Sequence, residues 1–360
     1  MERMQETLGV AYIGYGTHCN LSHEPFLGQL ELCEIVGIAD RDEARLRAAQ
    51  TARGLIDRPV FTENYHDLLT DDRVDAVVVT TDDSTHFAIA QEALAANKHV
   101  LVEKPAATTI EELARLPGLF DLAKAAQRRL WVCHPREFGN GPWLRAAELI
   151  GEPALMSEAF GVGPMGQLRE LRYDCQYTVP TRQGLHTSFA DDKLNHTIVS
   201  VTKALPGTLG FRNAVLHDND LTAFDARFVT IPEDDKEEGV VVKASGRRSA
   251  HAENHGDSFH RDWIEGVFDE GVLRVEPSLG RIALTYGTKE KDPIEFDPDT
   301  LYDDMFRPFN TEFVRCALDP RRAEPLPTRT KLLATAAAIL MQQPGFNGLI
   351  TEDAVRQLAA

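Results

Sequence analysis

The sequence predicts an α/β protein in two parts: an N-terminal doubly wound parallel sheet, then a C-terminal α+β half on a large, mostly antiparallel open sheet. Three observations predict it. In the first part, short Val/Ile/Leu runs alternate with helical stretches, the pattern of a parallel sheet covered on both faces. A glycine turn, Gly14-Tyr15-Gly16, directly follows the first run. Beyond Leu209, strand candidates succeed one another without intervening helices, as in an antiparallel sheet with helices on one face.

The elements follow in order. Residues 8–13 form the first apolar run, and 32–39 the second, which ends at Asp40. Ala44, Leu46, Ala48 and Ala49 among charged residues predict a helix over 42–52. A third run at 74–80 precedes a helix over 84–96, and 99–102 is the fourth run. Thr109 and Glu112 have capping-box spacing and open a helix over 110–127. A short strand at 130–133 closes the series, and the pattern changes near 134–141. The stretch 161–190 reads as a long loop, followed by a helix over 191–205. Strands are expected at 209–216, 223–231, 240–244, 258–268, 272–275 and 282–286, with Asp269-Glu270-Gly271 as a hairpin turn. Helices over 308–317, with Phe309, Phe313 and Cys316 on one face, and over 331–342 complete the chain.

Composition narrows the function classes. The 360 residues suffice for two domains with substantial cores. A hydrophobic share of 43% with 26% charged residues argues against disorder. Lys and Arg number 38 against 56 Asp and Glu, a net charge of −18, which opposes nucleic-acid or anionic-membrane binding through a general basic surface. Cys19, Cys33, Cys133, Cys175 and Cys316 are odd in number and dispersed, so reduced thiols and no metal are expected. His251, His255 and His260 have no metal-type spacing either. No stretch approaches the roughly 20 apolar residues of a membrane span, and the charged segment 1–7 lacks a signal-peptide core. A soluble cytoplasmic protein is expected.

The glycine turn fits G-x-G-x-x-G/A in its first two glycines, with Cys19 in the third place. Gly14 permits the tight turn, Gly16 lets the backbone approach a diphosphate, and a small third residue allows helix–strand packing. Tyr15, Thr17 and His18 belong to the same phosphate turn. Asp40 ends the second run at the distance expected of a ribose-binding carboxylate, which favours NAD; the adjacent Arg41 keeps NADP open. Asp40 also reads as a helix N-cap. A dinucleotide-binding domain is therefore expected over 1–135, and a substrate-binding, oligomerising domain over 136–360.

Lys104 ends the fourth run, where doubly wound folds bind ligands and where a cation can stabilise a developing alkoxide. Asp192 and His196 lie one helical turn apart, opposite the stripe of Leu194, Ile198, Val201 and Leu205. Periodicity by itself assigns that face to solvent.

The chain resembles the Gfo/Idh/MocA family of NAD(P)-dependent oxidoreductases, which includes inositol and glucose–fructose dehydrogenases. The resemblance rests on Gly14-x-Gly16, Asp40, Thr81-Asp82-Asp83-Ser84-Thr85-His86, Glu103-Lys104-Pro105 and Asp192-x-x-x-His196. It departs from the family where Thr81-Asp82-Asp83 replaces Thr-Pro-Asn and where Thr187-Ser188 replaces Gly-Gly. It implies that Lys104 and His196 flank the reacting carbon, with His196 as acid/base, Lys104 on the alkoxide and Asp192 on a substrate hydroxyl or the imidazole. It further implies cofactor contacts from Thr81, Asp83, His86, Glu103 and Lys104, and substrate contacts from Arg136 and Asn195. An ion pair is the competing role for Arg136. Arg169, Arg172, Tyr173, Arg182 and His186 fall in the expected long loop. The implied substrate is a sugar, cyclitol or related polyol, and the implied assembly a homodimer or homotetramer. A glycosidase using tightly bound NAD for transient oxidation, and a non-catalytic dinucleotide sensor, are the competing readings.

Overall fold

The computed structural model describes residues 7–53, 59–139, 141–180, 189–219, 223–234, 238–251 and 260–359. The chain divides into two compact units, Met1–Pro135 with Phe306–Pro327, and Arg136–Met305 with Thr328–Ala360.

In the first unit, β1 (Leu8–Ile13), β2 (Cys33–Ala39), β3 (Val60–Thr62), β4 (Ala76–Val79), β5 (His99–Val102) and β6 (Leu130–Val132) pair in the order β3-β2-β1-β4-β5-β6. Every pairing is parallel. Strands β1, β4 and β5 are buried along their whole lengths, which is why they read as unbroken apolar runs. The edge strand β3 is too short to have shown a pattern. Helices α1 (Thr17–Ser22), α2 (Glu24–Leu27), α3 (Glu43–Arg53), α4 (His66–Leu69), α5 (His86–Ala95) and α6 (Ile110–Ala125) fill the connections. The expected capping box of α6 is formed: Glu112 N–H donates to Thr109 Oγ1 at 3.2 Å, and Thr109 N–H to Glu112 Oε2 at 3.3 Å. The chain order reverses between β1 and β4, and this opens a crevice at their carboxyl ends.

The second unit carries α7 (Pro142–Gly151), α8 (Pro153–Phe160) and α9 (Phe189–Ala204), then α10 (Leu301–Leu318), which runs into the first unit. It ends with α11 (Thr328–Leu340) and α12 (Glu352–Gln357). Its strands are β7 (Leu168–Pro180), β8 (Thr208–Asn219), β9 (Ala223–Pro232), β10 (Val241–His251), β11 (His260–Phe268), β12 (Gly271–Glu276), β13 (Arg281–Tyr286), β14 (Lys289–Glu290), β15 (Ile294–Glu295) and β16 (Ile350–Thr351). Among the described residues they form one sheet in the order β14-β13-β12-β11-β7-β10-β9-β8-β16, with β15 on β13. Only β7 and β10 pair in parallel there. Helix α9 packs on α7, α11 and β10. Among the described residues no helix is long and apolar enough to cross a membrane.

Two expectations need correction. The stretch 161–190 is not one long loop, because β7 occupies the centre of the sheet. Arg169, Arg172 and Tyr173 are strand residues, while Arg182 and His186 lie outside the described residues. Nor is 136–360 one continuous unit. Phe309 and Phe313 set their edges against Trp131, with centroids 6.0 and 5.9 Å away, and Phe306 stacks on Phe26 at 6.3 Å. Arg129 clamps the end of α10 by donating to the carbonyls of Cys316, Asp319, Pro320 and Arg322. The apolar face of α10 thus completes the core of the first unit.

Candidate active site

The glycine turn sits at the reversal point of the parallel sheet. Gly14 has φ +86°, and a Cβ there would lie 2.9 Å from Thr80 C, Thr80 O and Thr81 Cγ2, so only glycine fits. Thr80 Oγ1 donates to Gly14 O at 2.5 Å and pins the turn to the end of β4. Gly16 differs. Its φ of −83° suits any residue, and a Cβ there would meet only Arg45 Nη1, at 3.6 Å. The space before Gly16 is therefore open, and the first N–H groups of α1 follow it. Thr17 is exposed, while Cys19 is fully buried and fills the small third position. This cradle fits a dinucleotide diphosphate.

Asp40 serves its own chain. Its Oδ2 accepts Tyr15 N–H at 2.7 Å, its Oδ1 accepts Asp42 N–H at 2.9 Å, and Arg45 Nη1 lies 3.5 Å from Oδ2. Only 3% of the side chain is exposed. Arg41, with 84% of its side chain exposed, pairs with Asp82 at 2.7 Å. Thr81 Oγ1 accepts from Thr85 Oγ1 at 2.7 Å, and Asp83 opens a short 3₁₀ turn. His86 is 1% exposed, with Nδ1 3.0 Å from Pro105 O and Nε2 3.2 Å from Thr81 O. It joins the loops after β4 and β5.

Glu103 and Lys104 follow β5 directly. Glu103 Oε1 receives His18 Nε2 at 2.8 Å and His23 Nε2 at 2.9 Å, and Oε2 receives Lys104 N–H at 3.2 Å. Burial drives the Glu103 carboxyl upward, but the charge and hydrogen bonds of His18 and His23 outweigh it and hold the group well below the usual carboxylate range. Glu103 is thus a buried anion tied to the chain. Burial, reinforced by that anion, pushes the Cys133 thiol well above its ordinary value. Lys104 is half-buried and His18 has 43% of its side chain exposed.

In the second unit, α9 carries Asp192, Asn195 and His196. Leu194, Asn195, Thr197 and Ile198 are each 0% exposed, and Lys193 is 5% exposed. The described residues enclose the helix on its other sides. His196 is the half-buried position within this enclosed run. The Asp192 side chain and the pair Thr187-Ser188 lie outside the described residues.

Arg136 turns into the interior of the second unit. Its Nη2 pairs with Asp262 Oδ2 at 2.7 Å, and its guanidinium lies 5.1 Å from the Trp143 ring centroid. Ser200 Oγ donates to Glu137 Oε1 at 2.6 Å and lies 3.3 Å from Tyr173 Oη. Burial raises the Glu137 carboxyl above its usual range, against the Ser200 bond and the charges of Lys203 and Arg136. Arg136 therefore holds β11 to the helices as an ion pair.

His23 and Asn310 escaped the sequence reading. Their contact with each other spans 287 residues, and no local pattern signals it.

Residues 8–134 match the family model GFO_IDH_MocA, an oxidoreductase family with an NAD-binding Rossmann fold. The uncharacterized oxidoreductase YdgJ of Escherichia coli (strain K12) is 30% identical over 157 residues, 44% of this chain and 42% of that protein. Inositol 2-dehydrogenase 1 of Saccharopolyspora erythraea is 36% identical over 110 residues, 31% of this chain and 32% of that protein. The chain thus spans less than half the length of these curated relatives. The crystal structure of GenD2 from gentamicin A biosynthesis in complex with NAD superposes with a TM-score of 0.70 at 19% identity, covering 94% of this chain and 93% of GenD2. At that identity the likeness shows a shared fold.

Proposed function

We propose that this chain, whose residues 8–134 belong to the Gfo/Idh/MocA family of NAD-binding oxidoreductases, moves a hydride between NAD(P) and a secondary alcohol or ketone of a sugar, cyclitol or related polyol. One observation carries the reading. Within a single parallel sheet, the glycine cradle after β1 and the Lys104 cation after β5 emerge from the same, carboxyl edge. They stand two strands apart, about 10 Å at the usual strand spacing.

Bound NAD(P) supplies the hydride chemistry. Gly14, Tyr15, Gly16, Thr17 and His18 hold the diphosphate end, while Asp40 and Arg41 border the ribose. We assign NAD, with NADP admitted because the Asp40 carboxylate is screened by Arg45 and the exposed Arg41 can reach a 2′-phosphate. Lys104 donates a hydrogen bond to the reacting oxygen and stabilises the negative charge that develops on it. His196 takes the hydroxyl proton in oxidation and returns it in reduction, because imidazole exchanges protons near neutral pH. Asp192, one turn earlier, orients that imidazole or holds a neighbouring hydroxyl. Asn195, between them on the same helix, is the further substrate contact proposed. Five dispersed cysteines held as thiols support a cytoplasmic setting, and the ten-stranded sheet among the described residues offers a surface for a homodimer or homotetramer.

The test is a screen of sugars, cyclitols and their keto forms with each cofactor, followed by nicotinamide absorbance. Stoichiometric appearance or loss of reduced cofactor with one substrate supports the reading. Turnover of a glycoside without net consumption of cofactor transfers the assignment to the redox-assisted glycosidase. Binding of cofactor with no turnover of any kind leaves a sensor.

A further inference from the structure

We propose that His23 is carried as a buried imidazolium between Asn310 and Glu103, and that this charge lock positions the backbone of Lys104. The inference rests on the role given to Lys104 above, although its first test does not.

Asn310 Nδ2 donates to Ser22 O at 3.0 Å and to Phe306 O at 2.7 Å, which fixes the amide orientation. Asn310 Oδ1 therefore faces His23 Nδ1, 2.8 Å away, as an acceptor, and Nδ1 must carry a proton. The other ring nitrogen, Nε2, lies 2.9 Å from Glu103 Oε1. A neutral imidazole would set its lone pair against a carboxylate oxygen, so one further cation must occupy that contact. Three candidates exist: a proton on His23, a proton on Glu103, or a metal ion shared with His18.

A metal is disfavoured by distance. His18 Nε2, His23 Nε2 and Glu103 Oε1 form the cluster able to hold an ion among the described residues. Yet His18 and His23 stand only 2.8 and 2.9 Å from the carboxylate oxygen, as in N–H···O bonds. Tetrahedral zinc at its usual bond lengths would spread ligand atoms to about 3.4 Å. A protonated Glu103 is disfavoured by its surroundings, since His18 Nε2 on Oε1 and Lys104 N–H on Oε2 also favour the anion, independently of His23.

His23 is 0% exposed and faces the rings of Phe306 and Phe309 at 5.9 and 6.5 Å. The charged and titratable groups around the pair are His18 on α1, Glu103 and Lys104 after β5, and Cys133 after β6. In so apolar a pocket the imidazolium persists only while the carboxylate is held against it. Glu103 in turn is held at Oε1 by both histidines and at Oε2 by the amide of the next residue, Lys104. The Lys104 backbone is thereby anchored through His23 to α10, the helix that returns from the far end of the sequence.

The first measurement is long-range ¹H–¹⁵N NMR of ¹⁵N-histidine-labelled full-length protein. Both His23 ring nitrogens should carry a proton; a His23 with an unprotonated Nε2 overturns the charge lock. In His23→Gln, amide exchange at Lys104 should accelerate by about 10-fold or more relative to the β1 amides. In the same variant kcat should fall about 10-fold while NADH affinity stays within about twofold. Unchanged exchange at Lys104 overturns the positioning role. Should His23→Gln fail to fold, Asn310→Ala serves, and amide exchange at Lys104 should accelerate there too; unchanged exchange overturns the anchoring through Asn310. Stoichiometric Zn²⁺ uptake that vanishes in a histidine variant would replace the proton with a metal. Absence of turnover in the wild type would defeat the oxidoreductase reading and leave the spectrum and the amide exchange to decide this one.

Discussion

The Asp40 carboxylate accepts the Tyr15 amide at 2.7 Å across 25 residues, joining the end of β2 to the glycine turn after β1. The acid expected to recognise a ribose first organises the turn that receives the diphosphate. With Asp42 N–H on its other oxygen, it is a structural anion whose outer edge remains for a ligand.

Asp40→Asn should therefore act on stability as well as on cofactor choice. An amide cannot accept at both positions, and losing one hydrogen bond to a buried charge costs about 2 kcal/mol. Calorimetry should show a Tm lower by roughly 4–8 °C.

Gly16→Val separates folding from binding. The backbone there suits any residue and a Cβ meets nothing closer than 3.6 Å, so the variant should melt like the wild type. The added side chain occupies the open front of the cradle, and NADH affinity by fluorescence titration should fall by at least about tenfold.

Arg136→Ala should behave as a folding variant. It leaves Asp262, with 1% of its side chain exposed, without its 2.7 Å guanidinium partner. Removing one member of a buried pair costs about 3–5 kcal/mol. Urea denaturation should show that loss, with the KM of any substrate turned over by the folded fraction little altered.

Acid stability should depend on His99. Its Nδ1 accepts Arg129 N–H at 3.2 Å, so the folded state wants it neutral. Burial, aided by the Arg128 and Arg129 charges, lowers its pKa from 6.5 to about 3. A depressed folded pKa places this contribution in full above pH 6.5, and it drains as pH falls toward 3. At about 1.4 kcal/mol per unit, on the order of 3 kcal/mol is lost by about pH 4. Urea midpoints across that range should slope downward in the wild type and flatten in His99→Gln.

The first unit was largely legible because its strands are buried on both faces and its helix starts are local signals, as with Thr109 and Glu112. Strand β7 was missed although Leu171, Tyr173 and Cys175 are buried at alternate positions. The intervening Glu170 and Arg172 look like loop residues until their ion pairs with Lys243 and Glu265 on neighbouring strands are seen. Phe309 and Phe313 were read correctly as one apolar face, yet nothing in α10 itself says which core receives it. The turn glycines and Lys104 follow strand ends and so could be placed from sequence. The His23–Glu103–Asn310 lock could not, because it joins three distant stretches.

Turnover and cofactor affinity compared side by side in the wild type and Lys104→Ala test the account most directly. It predicts a kcat lower by about 10²–10⁴-fold with NADH affinity nearly intact. Full turnover without that ammonium, or a wild-type protein that binds neither NAD nor NADP, would contradict it.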